Sequence, residues 1–500
     1  MKKFLKIAGV TVVIAFGLQV LINTGIISVN KENLDFEAIQ KVIGTDAGAD
    51  VIEAFEDSPD LPGMEYDDIN LKKGDDYLEK GMKSLAVNEY VESIKNNSDN
   101  PEAFTKIGKI HFEDLEPAKA RENFIKAIQL DPNYIEARIY LGKSYIAENN
   151  FDKARQIFGN ITTQNQLAKY YKGLLASFYG EHENAKNLFA EAISIGTSDK
   201  ISEKAQVILK AYQEFARNQG GQDMHLKALL SRAYNQVEEY NMALPILFEI
   251  LKEQKDYRDA WVILGYSYLN LEKIDDAIYA FETAKKLDPQ KPETLYFLGL
   301  THFAKGDLEQ AISSIEQALD NGFEPAVQAN QKLAEIYLLN EDYENAALNY
   351  ERILEANNSD INSYVRPVWL YIDKIKNPQK AVEIATRAAE NHPDKAMGYN
   401  LLGWAQTANG DFSEAKQNLQ RAIDIDPELD AAYLNLGWLY EKKNLPSLAK
   451  TNYQKAKDLG GSSAAANLAM ERYNKIIESE EKVEEIPEDS KIGKTFNLQK

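Results

Sequence analysis

The 500-residue chain contains no cysteine. This absence excludes disulfide scaffolds, thiolate zinc sites, cysteine nucleophiles and bacterial lipoprotein anchoring. Histidine is scarce as well, and the five histidines form neither an H-x3-H nor an H-E-x2-H arrangement that would bind zinc. The chain also lacks a P-loop, a G-x-S-x-G elbow and a G-x-G-x2-G sequence after a strand. The sequence therefore predicts no catalytic residue, no metal ligand and no cofactor.

Basic residues are too few for a typical nucleic-acid-binding protein. The chain has 57 lysines and arginines against 78 aspartates and glutamates, which gives a net charge of -21 at pH 7. Proteins that bind phosphate backbones normally carry a basic surface. We therefore expect no nucleic-acid partner, and the acidity by itself indicates solubility rather than a particular substrate.

What the chain does have is a 34-residue periodicity from about residue 67 to residue 463. In the clearest copy, Trp261, Leu264, Gly265 and Tyr268 are spaced i, i+3, i+4 and i+7, which places them on one face of a helix. A second helix follows in each copy and carries an alanine near its start. Eleven such alanines indicate eleven copies: Ala86, Ala120, Ala154, Ala185, Ala243, Ala277, Ala311, Ala346, Ala381, Ala415 and Ala449.

Each copy therefore predicts two antiparallel helices, each with one apolar stripe. One hairpin alone cannot bury both stripes, so neighbouring hairpins must stack. The glycine of the first helix is present in eight copies, where a small residue allows the two helices to approach closely. Val368 takes this position in one copy, which is therefore expected to be the least regular.

The clearest copy also matches a known repeat pattern. Its residues fit W-x2-L-G-x2-Y, then A-x3-F, then P, through Trp261, Leu264, Gly265, Tyr268, Ala277, Phe281 and Pro289. The chain therefore resembles the tetratricopeptide repeat (TPR) family. This resemblance implies an all-α fold, a right-handed TPR solenoid of about eleven helix hairpins.

The resemblance also implies a concave groove that binds partner proteins or extended peptides. In the family, slots 2, 5, 9 and 12 of the first helix line this groove, where slot 1 is residue 258 in the clearest copy. The predicted groove consists of aromatic and amide side chains and one leucine in the C-terminal half: Tyr266, Tyr296, Leu300, Phe303, Trp369, Asn400, Trp404, Asn435 and Trp438. The two asparagines are expected to hydrogen-bond a ligand backbone. The alternative is that these aromatic side chains fill space between adjoining repeats.

One branch of the family is excluded. Co-chaperones that hold the C-terminal carboxylate of heat-shock proteins use lysine at slot 5 and asparagine at slot 9. Here slot 5 of the early repeats holds Thr105 and Ile139, and slot 9 holds Lys109 and Lys143. The carboxylate clamp is therefore absent.

The N-terminus predicts a membrane anchor. Residues 7–29 are 23 uncharged, mostly apolar residues that follow Lys2, Lys3 and Lys6. A helix of this length reaches roughly 35 Å, which is enough to cross a bilayer core. The preceding lysines predict a single-pass protein with a cytoplasmic N-terminus and extracytoplasmic repeats. The alternative is a cleaved signal peptide, which also exports the repeats.

The remaining composition divides the chain into seven segments. We predict an anchor at 1–30, an acidic spacer at 31–66, four repeats at 67–199, a linker helix at 200–223, seven repeats at 224–463, a capping helix at 464–486 and a disordered tail at 487–500. The linker helix is either an additional packing helix or a flexible joint. Because the segments outside the repeats are short, we expect no catalytic domain.

These features together predict a membrane-anchored scaffold that binds partner proteins or extended peptides outside the cytoplasm. Two alternatives stay open. One is a holdase-like chaperone accessory for exported proteins, and the other is a non-catalytic subunit of an envelope-polymer assembly complex.

Overall fold

A computed structural model describes residues 66–217 and 223–484 of the chain. The predicted anchor at 1–30 and tail at 487–500, and all but the last residue of the predicted spacer at 31–66, lie outside these ranges. None of the helices within the described ranges combines the length and the hydropathy that crossing a bilayer requires.

The described residues form helices that follow one another as hairpins. The N-terminal four hairpins and the helix after them are α1 (Tyr66–Glu79), α2 (Lys83–Asn96), α3 (Pro101–Glu113), α4 (Pro117–Leu130), α5 (Ile135–Ala147), α6 (Phe151–Gly159), α7 (Gln166–Phe178), α8 (His182–Ile195) and α9 (Asp199–Arg217). The predicted linker helix is thus a regular helix that begins directly after the fourth hairpin.

Seven further hairpins and one final helix follow residue 222. They are α10 (Asp223–Gln236), α11 (Tyr240–Glu253), α12 (Arg258–Asn270), α13 (Ile274–Leu287), α14 (Pro292–Lys305), α15 (Leu308–Asp320), α16 (Ala326–Leu339), α17 (Tyr343–Ala356), α18 (Val365–Trp369), α19 (Pro378–Asn391), α20 (Ala396–Asn409), α21 (Phe412–Ile425), α22 (Asp430–Lys442), α23 (Pro446–Gly460) and α24 (Ala464–Glu484). The all-helical repeat fold predicted from the periodicity is therefore confirmed for the described residues.

These helices belong to two compact units. One unit comprises the described residues up to Leu115 together with Lys126–Pro132, and the other comprises Glu116–Ile125 together with the described residues from Asn133 onward. The core of the first unit is formed by small and aliphatic side chains around Tyr90. The groove residues predicted from the sequence all lie in the second unit.

Close helix contact explains the two most regular positions of the repeat. All eleven alanines of the second helices are fully buried. A Cβ atom added at Gly265 would lie 2.8 Å from the Phe281 ring, and one added at Gly299 would lie 2.5 Å from the Ile315 side chain. Such distances are shorter than van der Waals contact, so only a residue without a side chain lets the two helices pack here.

A left-handed residue ends the first helix of every repeat in the described chain. The same slot, slot 15, has a positive φ in all eleven copies, although only four of them use glycine: Gly81, Leu115, Asn149, Gly180, Glu238, Glu272, Gly306, Glu341, Lys376, Gly410 and Asn444. The left-handed turn reverses the chain so that the second helix folds back on the first.

These turns predict opposite effects for exchanges at two equivalent positions. Glu272 has a φ of 60° and Gly306 a φ of 91°. A side chain destabilises the left-handed conformation by about 1 kcal/mol. We expect Glu272→Gly to raise, and Gly306→Ala to lower, the free energy of unfolding, each by up to about 1 kcal/mol. Urea unfolding of both variants tests this, and a shift of both midpoints in the same direction would contradict it.

The repeat that carries Val368 is the least regular, as the sequence predicts. Its first helix is replaced by a 3-10 segment, Ile361–Tyr364, then the short α18, then a π-helical turn, Leu370–Lys374. Pro367 in α18 has no backbone N–H, and the copy contains one extra residue, which the π-helical turn accommodates.

Candidate functional site: a concave groove

In the structure, the concave stripe of the first helices differs between the two blocks of repeats. In α5 and α7 five of its eight members are almost fully buried, with Ile139 and Ile146 each 4% exposed and Tyr170 and Leu174 each 0% exposed. The other three members keep some exposure: Glu136, Lys143 and Leu167. The five buried positions line a groove in the family, so their burial requires that another part of the chain covers them.

The covering part is the hairpin formed by α10 and α11. Helix α11 contacts both α5 and α7, which lie two hairpins and one hairpin earlier in the chain. The Tyr234 hydroxyl donates to Ser177 Oγ over 2.9 Å, and the Tyr171 hydroxyl donates to Glu239 Oε1 over 2.9 Å. The groove of these two repeats is therefore filled by the chain itself.

Helix α9 packs against the same region. Its Ala205, Ile208 and Ala211 are buried in the core that also contains residues of α7 and α11. The Tyr212 hydroxyl lies 2.7 Å from Ser177 Oγ, and Lys204 Nζ donates to the carbonyl of Val237. Helix α9 therefore packs against neighbouring repeats, while the Gly220-Gly221 break of the predicted linker lies outside the described residues.

A partly buried carboxyl lies at this junction. Burial raises the pKa of the Glu239 carboxyl above its ordinary value, and the opposing attraction of Lys204 and Lys143 does not cancel this effect. The folded state therefore binds this proton more tightly than the unfolded chain. Above the raised pKa, the charged carboxyl of Glu239 therefore lowers the free energy of unfolding. This destabilisation is lost as the pH falls from the raised pKa toward the ordinary carboxyl pKa, because the carboxyl becomes protonated.

This sign gives a pH-dependent prediction. The Glu239→Gln variant keeps an oxygen that accepts from Tyr171 but cannot be charged. We expect it to be more stable than the natural chain at neutral pH, and we expect the difference to shrink as the pH falls from the raised pKa toward the ordinary carboxyl pKa. Urea midpoints of both chains across this pH range test it. Parallel pH profiles would contradict the assignment.

The seven-repeat block leaves its concave stripe partly open. Of the nine predicted groove residues, six are partly exposed: Tyr266, Leu300, Phe303, Trp369, Trp404 and Trp438. The other three are buried. Tyr296 is 3% exposed and stacks on Phe323 with a centroid distance of 4.1 Å. Asn435 Nδ2 donates to Asn400 Oδ1 over 2.9 Å, so one polar group of each side-chain amide is already in a hydrogen bond with the other residue.

The open part of the stripe is aromatic at its two ends, whereas α16 between them carries Gln331 and Glu335, both exposed, at slots 5 and 9. At one end Tyr266 makes an edge contact with Phe297 over 5.4 Å, and Lys332 lies over the Phe303 ring at 4.9 Å. At the other end Trp369, Trp404 and Trp438 occupy slot 9 of three consecutive repeats and pack on one side against the core. An extended segment could therefore contact several rings in succession.

The three groove tryptophans also present hydrogen-bond donors. None of their indole N–H groups donates to another group in the described part of the chain, whereas Trp261 Nε1 donates to the Lys255 carbonyl over 2.8 Å. These N–H groups are not buried, so a carbonyl or carboxylate of a bound segment can accept from them.

Sequence reasoning did not identify the cations of this surface. Lys374 Nζ lies 5.8 Å from the Trp369 ring centroid, while Lys442 Nζ and the Arg472 guanidinium lie 5.5 Å and 5.7 Å from that of Trp438. Lys442 stands at slot 13 and Arg472 on the final helix, α24, so neither belongs to the four slots that define the stripe. We call Trp369, Trp404 and Trp438 with these three cations the tryptophan wall.

Comparison with known proteins confirms the repeat type. Models described as tetratricopeptide repeat match residues 112–178, 259–291, 296–361, 375–428 and 402–464, which together make up just over half of the chain. The chain belongs to the tetratricopeptide repeat family. TPR folds generally bind protein or peptide partners, which fits an open groove.

Individual relatives are distant. The chain is 23% identical to DnaJ homolog subfamily C member 3 of Gallus gallus over 330 residues, 60% of this chain and 63% of that protein. It is 23% identical to Protein O-mannosyl-transferase TMTC3 of Homo sapiens over 244 residues, 47% of this chain and 25% of that protein. The chain thus spans less than two thirds of the length of these curated relatives. The solved structure of yeast Tom70 is 14% identical, with 86% of this chain and 99% of that chain covered and a TM-score of 0.28.

Proposed function

We propose that this TPR protein is a non-enzymatic, membrane-anchored scaffold that binds an extended segment of a partner protein in the concave groove of its seven-repeat block, on the extracytoplasmic side of the membrane. The observation that carries the proposal is the contrast between the two blocks. The stripe of α5 and α7 is covered by the chain, whereas Trp369, Trp404 and Trp438 keep partly exposed rings and available N–H donors.

The membrane part of the proposal is supported by the sequence alone. Residues 7–29 are uncharged and follow three lysines, as expected for an anchor with its N-terminus in the cytoplasm. A reporter that is active only outside the cytoplasm should therefore work when it is fused after Lys500. If protease added to spheroplasts leaves the repeats intact, this topology is wrong.

Site-specific photo-crosslinking tests where partners bind. A crosslinking amino acid at Gln331, an exposed residue at slot 5 of α16, should capture a partner in intact membranes. The same amino acid at Tyr279, which is 67% exposed on a second helix, serves as the matched control and should capture none. Equal capture from both positions would contradict groove binding.

The pattern of captured proteins separates scaffold from holdase. A scaffold should give one or a few discrete products of constant stoichiometry, because it recognises defined partners. A holdase should give many products whose amount rises when exported proteins are unfolded. The proposed scaffold function therefore fails if the products from Gln331 form a broad distribution.

A further inference from the structure

The charges of the tryptophan wall differ in sign from the chain as a whole. The chain carries a net charge of -21, yet Lys442 and Arg472 lie over the Trp438 ring, and Lys374 lies 4.9 Å from the Tyr343 ring and 5.8 Å from the Trp369 ring. Arg472 forms an ion pair with Glu441, with 3.2 Å between Nη1 and Oε2. Lys374 and Lys442 form no ion pair with any carboxylate in the described ranges, so both ammonium groups are available to a ligand.

The carboxylates that face this wall are few. Asp373 is adjacent to Lys374 and lies close enough to Lys376 and Arg472 to interact electrostatically with both. Glu441 forms an ion pair with Arg472 and accepts a hydrogen bond from the Tyr453 hydroxyl. The wall therefore presents aromatic faces, N–H donors and two cations outside any ion pair, next to the exposed carboxylate of Asp373.

The filled groove of the first block also combines a cation with aromatic rings, and there the chain itself covers them. There Lys143 Nζ, at slot 9, lies 4.6 Å from the Tyr140 ring and 5.9 Å from the Tyr171 ring. The covering hairpin places a carboxylate, Glu239, against the Tyr171 hydroxyl, with Lys143 near enough to attract it. Around this carboxylate the hairpin buries apolar side chains such as Met242 and Leu244.

We infer that the tryptophan wall binds an extended segment in which acidic side chains stand next to aliphatic or aromatic ones. The apolar side chains contact the exposed indole faces, and the carboxylates accept from Lys374, Lys442 and the indole N–H groups. The inference rests on the proposed groove binding and adds the chemistry of the partner. The setting differs from that of Glu239, whose burial makes its charged form unfavourable, because the carboxylates of the bound segment lie on a partly exposed surface, where burial does not offset the attraction of the two ammonium groups.

Three synthetic peptides test the inference on the full chain in detergent. They share the same leucine and phenylalanine positions and differ only in having glutamate, glutamine or lysine between them. We expect fluorescence anisotropy to rank their affinities glutamate first, glutamine second and lysine last. The glutamate peptide should bind about 10-fold more tightly than the glutamine peptide at low salt, and the ratio should fall as salt screens the charges.

Charge reversal locates the effect. Lys374→Glu with Lys442→Glu should abolish or invert the preference for the glutamate peptide over the glutamine peptide, because the two ammonium groups that attract the carboxylates are replaced by carboxylates. Lys286→Glu with Lys457→Glu is the matched control, because both residues are exposed lysines on second helices and the net charge changes equally. The control should leave the ranking intact.

The outcomes separate this inference from the proposed function. If all three peptides bind equally, or the lysine peptide binds best, the acidic preference is wrong although groove binding stands. Tighter binding of a single-stranded oligonucleotide than of the glutamate peptide would also overturn the preference. If none of the peptides binds and crosslinking from Gln331 captures no partner, groove binding itself is wrong.

Discussion

Replacing Trp404 and Trp438 together by alanine should weaken the binding of the glutamate peptide by about 1000-fold, since truncating one hot-spot tryptophan typically removes at least about 2 kcal/mol of binding free energy. Both rings are partly exposed, both stand at slot 9, and both offer an indole N–H without a partner in the described chain. The measurement is a peptide titration by anisotropy, with circular dichroism to follow helical content.

The control for this experiment is Trp261→Ala. Trp261 is also partly buried, but it occupies the packing slot, where it makes an edge contact with Tyr279 over 5.9 Å. We expect its loss to lower the melting temperature without changing peptide affinity. If the double variant binds like the natural chain while its helical content is intact, the tryptophans only fill space between repeats.

The second large effect concerns stability. Phe281 is fully buried, lies against Gly265 and stacks on Phe297 over 6.0 Å. We expect Phe281→Ala to lower the free energy of unfolding by about 3–5 kcal/mol, because it leaves a cavity that the stacked helices cannot close. Tyr279→Ala, in the same helix but 67% exposed, should cost little.

The location of this loss tests the repeat architecture. Each hairpin is stabilised mainly by its neighbours, so faster hydrogen exchange should be confined to the hairpins near α13. An equal loss of protection from α10 to α24 would instead show that the seven-repeat block unfolds as one cooperative unit.

The periodicity predicted the fold well because the most regular slots are those with the strictest steric demand. Where helices almost touch, as at Ala277 and Gly265, few side chains fit and the pattern persists in the sequence. The left-handed turns at slot 15 were not predicted, because the steric demand at that slot is weak. A left-handed conformation costs a non-glycine residue only about 1 kcal/mol, so residues such as Leu115 and Glu272 occur there and hide the pattern.

The candidate site was less predictable, because it depends on contacts that do not follow the 34-residue period. The Tyr171 to Glu239 hydrogen bond joins residues 68 positions apart, so the covering of the first groove leaves no periodic signal. Likewise, Asn400 at slot 5 and Asn435 at slot 6 were predicted to bind a ligand backbone, yet they hydrogen-bond each other across neighbouring repeats. Slot position therefore identifies the stripe, while burial determines which of its members remain available.

The central claim is that a partner binds the concave stripe of the seven-repeat block and not that of α5 and α7. Hydrogen exchange of the full chain with and without saturating glutamate peptide tests it most directly. We expect added protection in the helices that carry the tryptophan wall, α18, α20, α22 and α24, with α5 and α7 unchanged. Added protection in α5 and α7, or only in second helices such as α13 and α21, would contradict it.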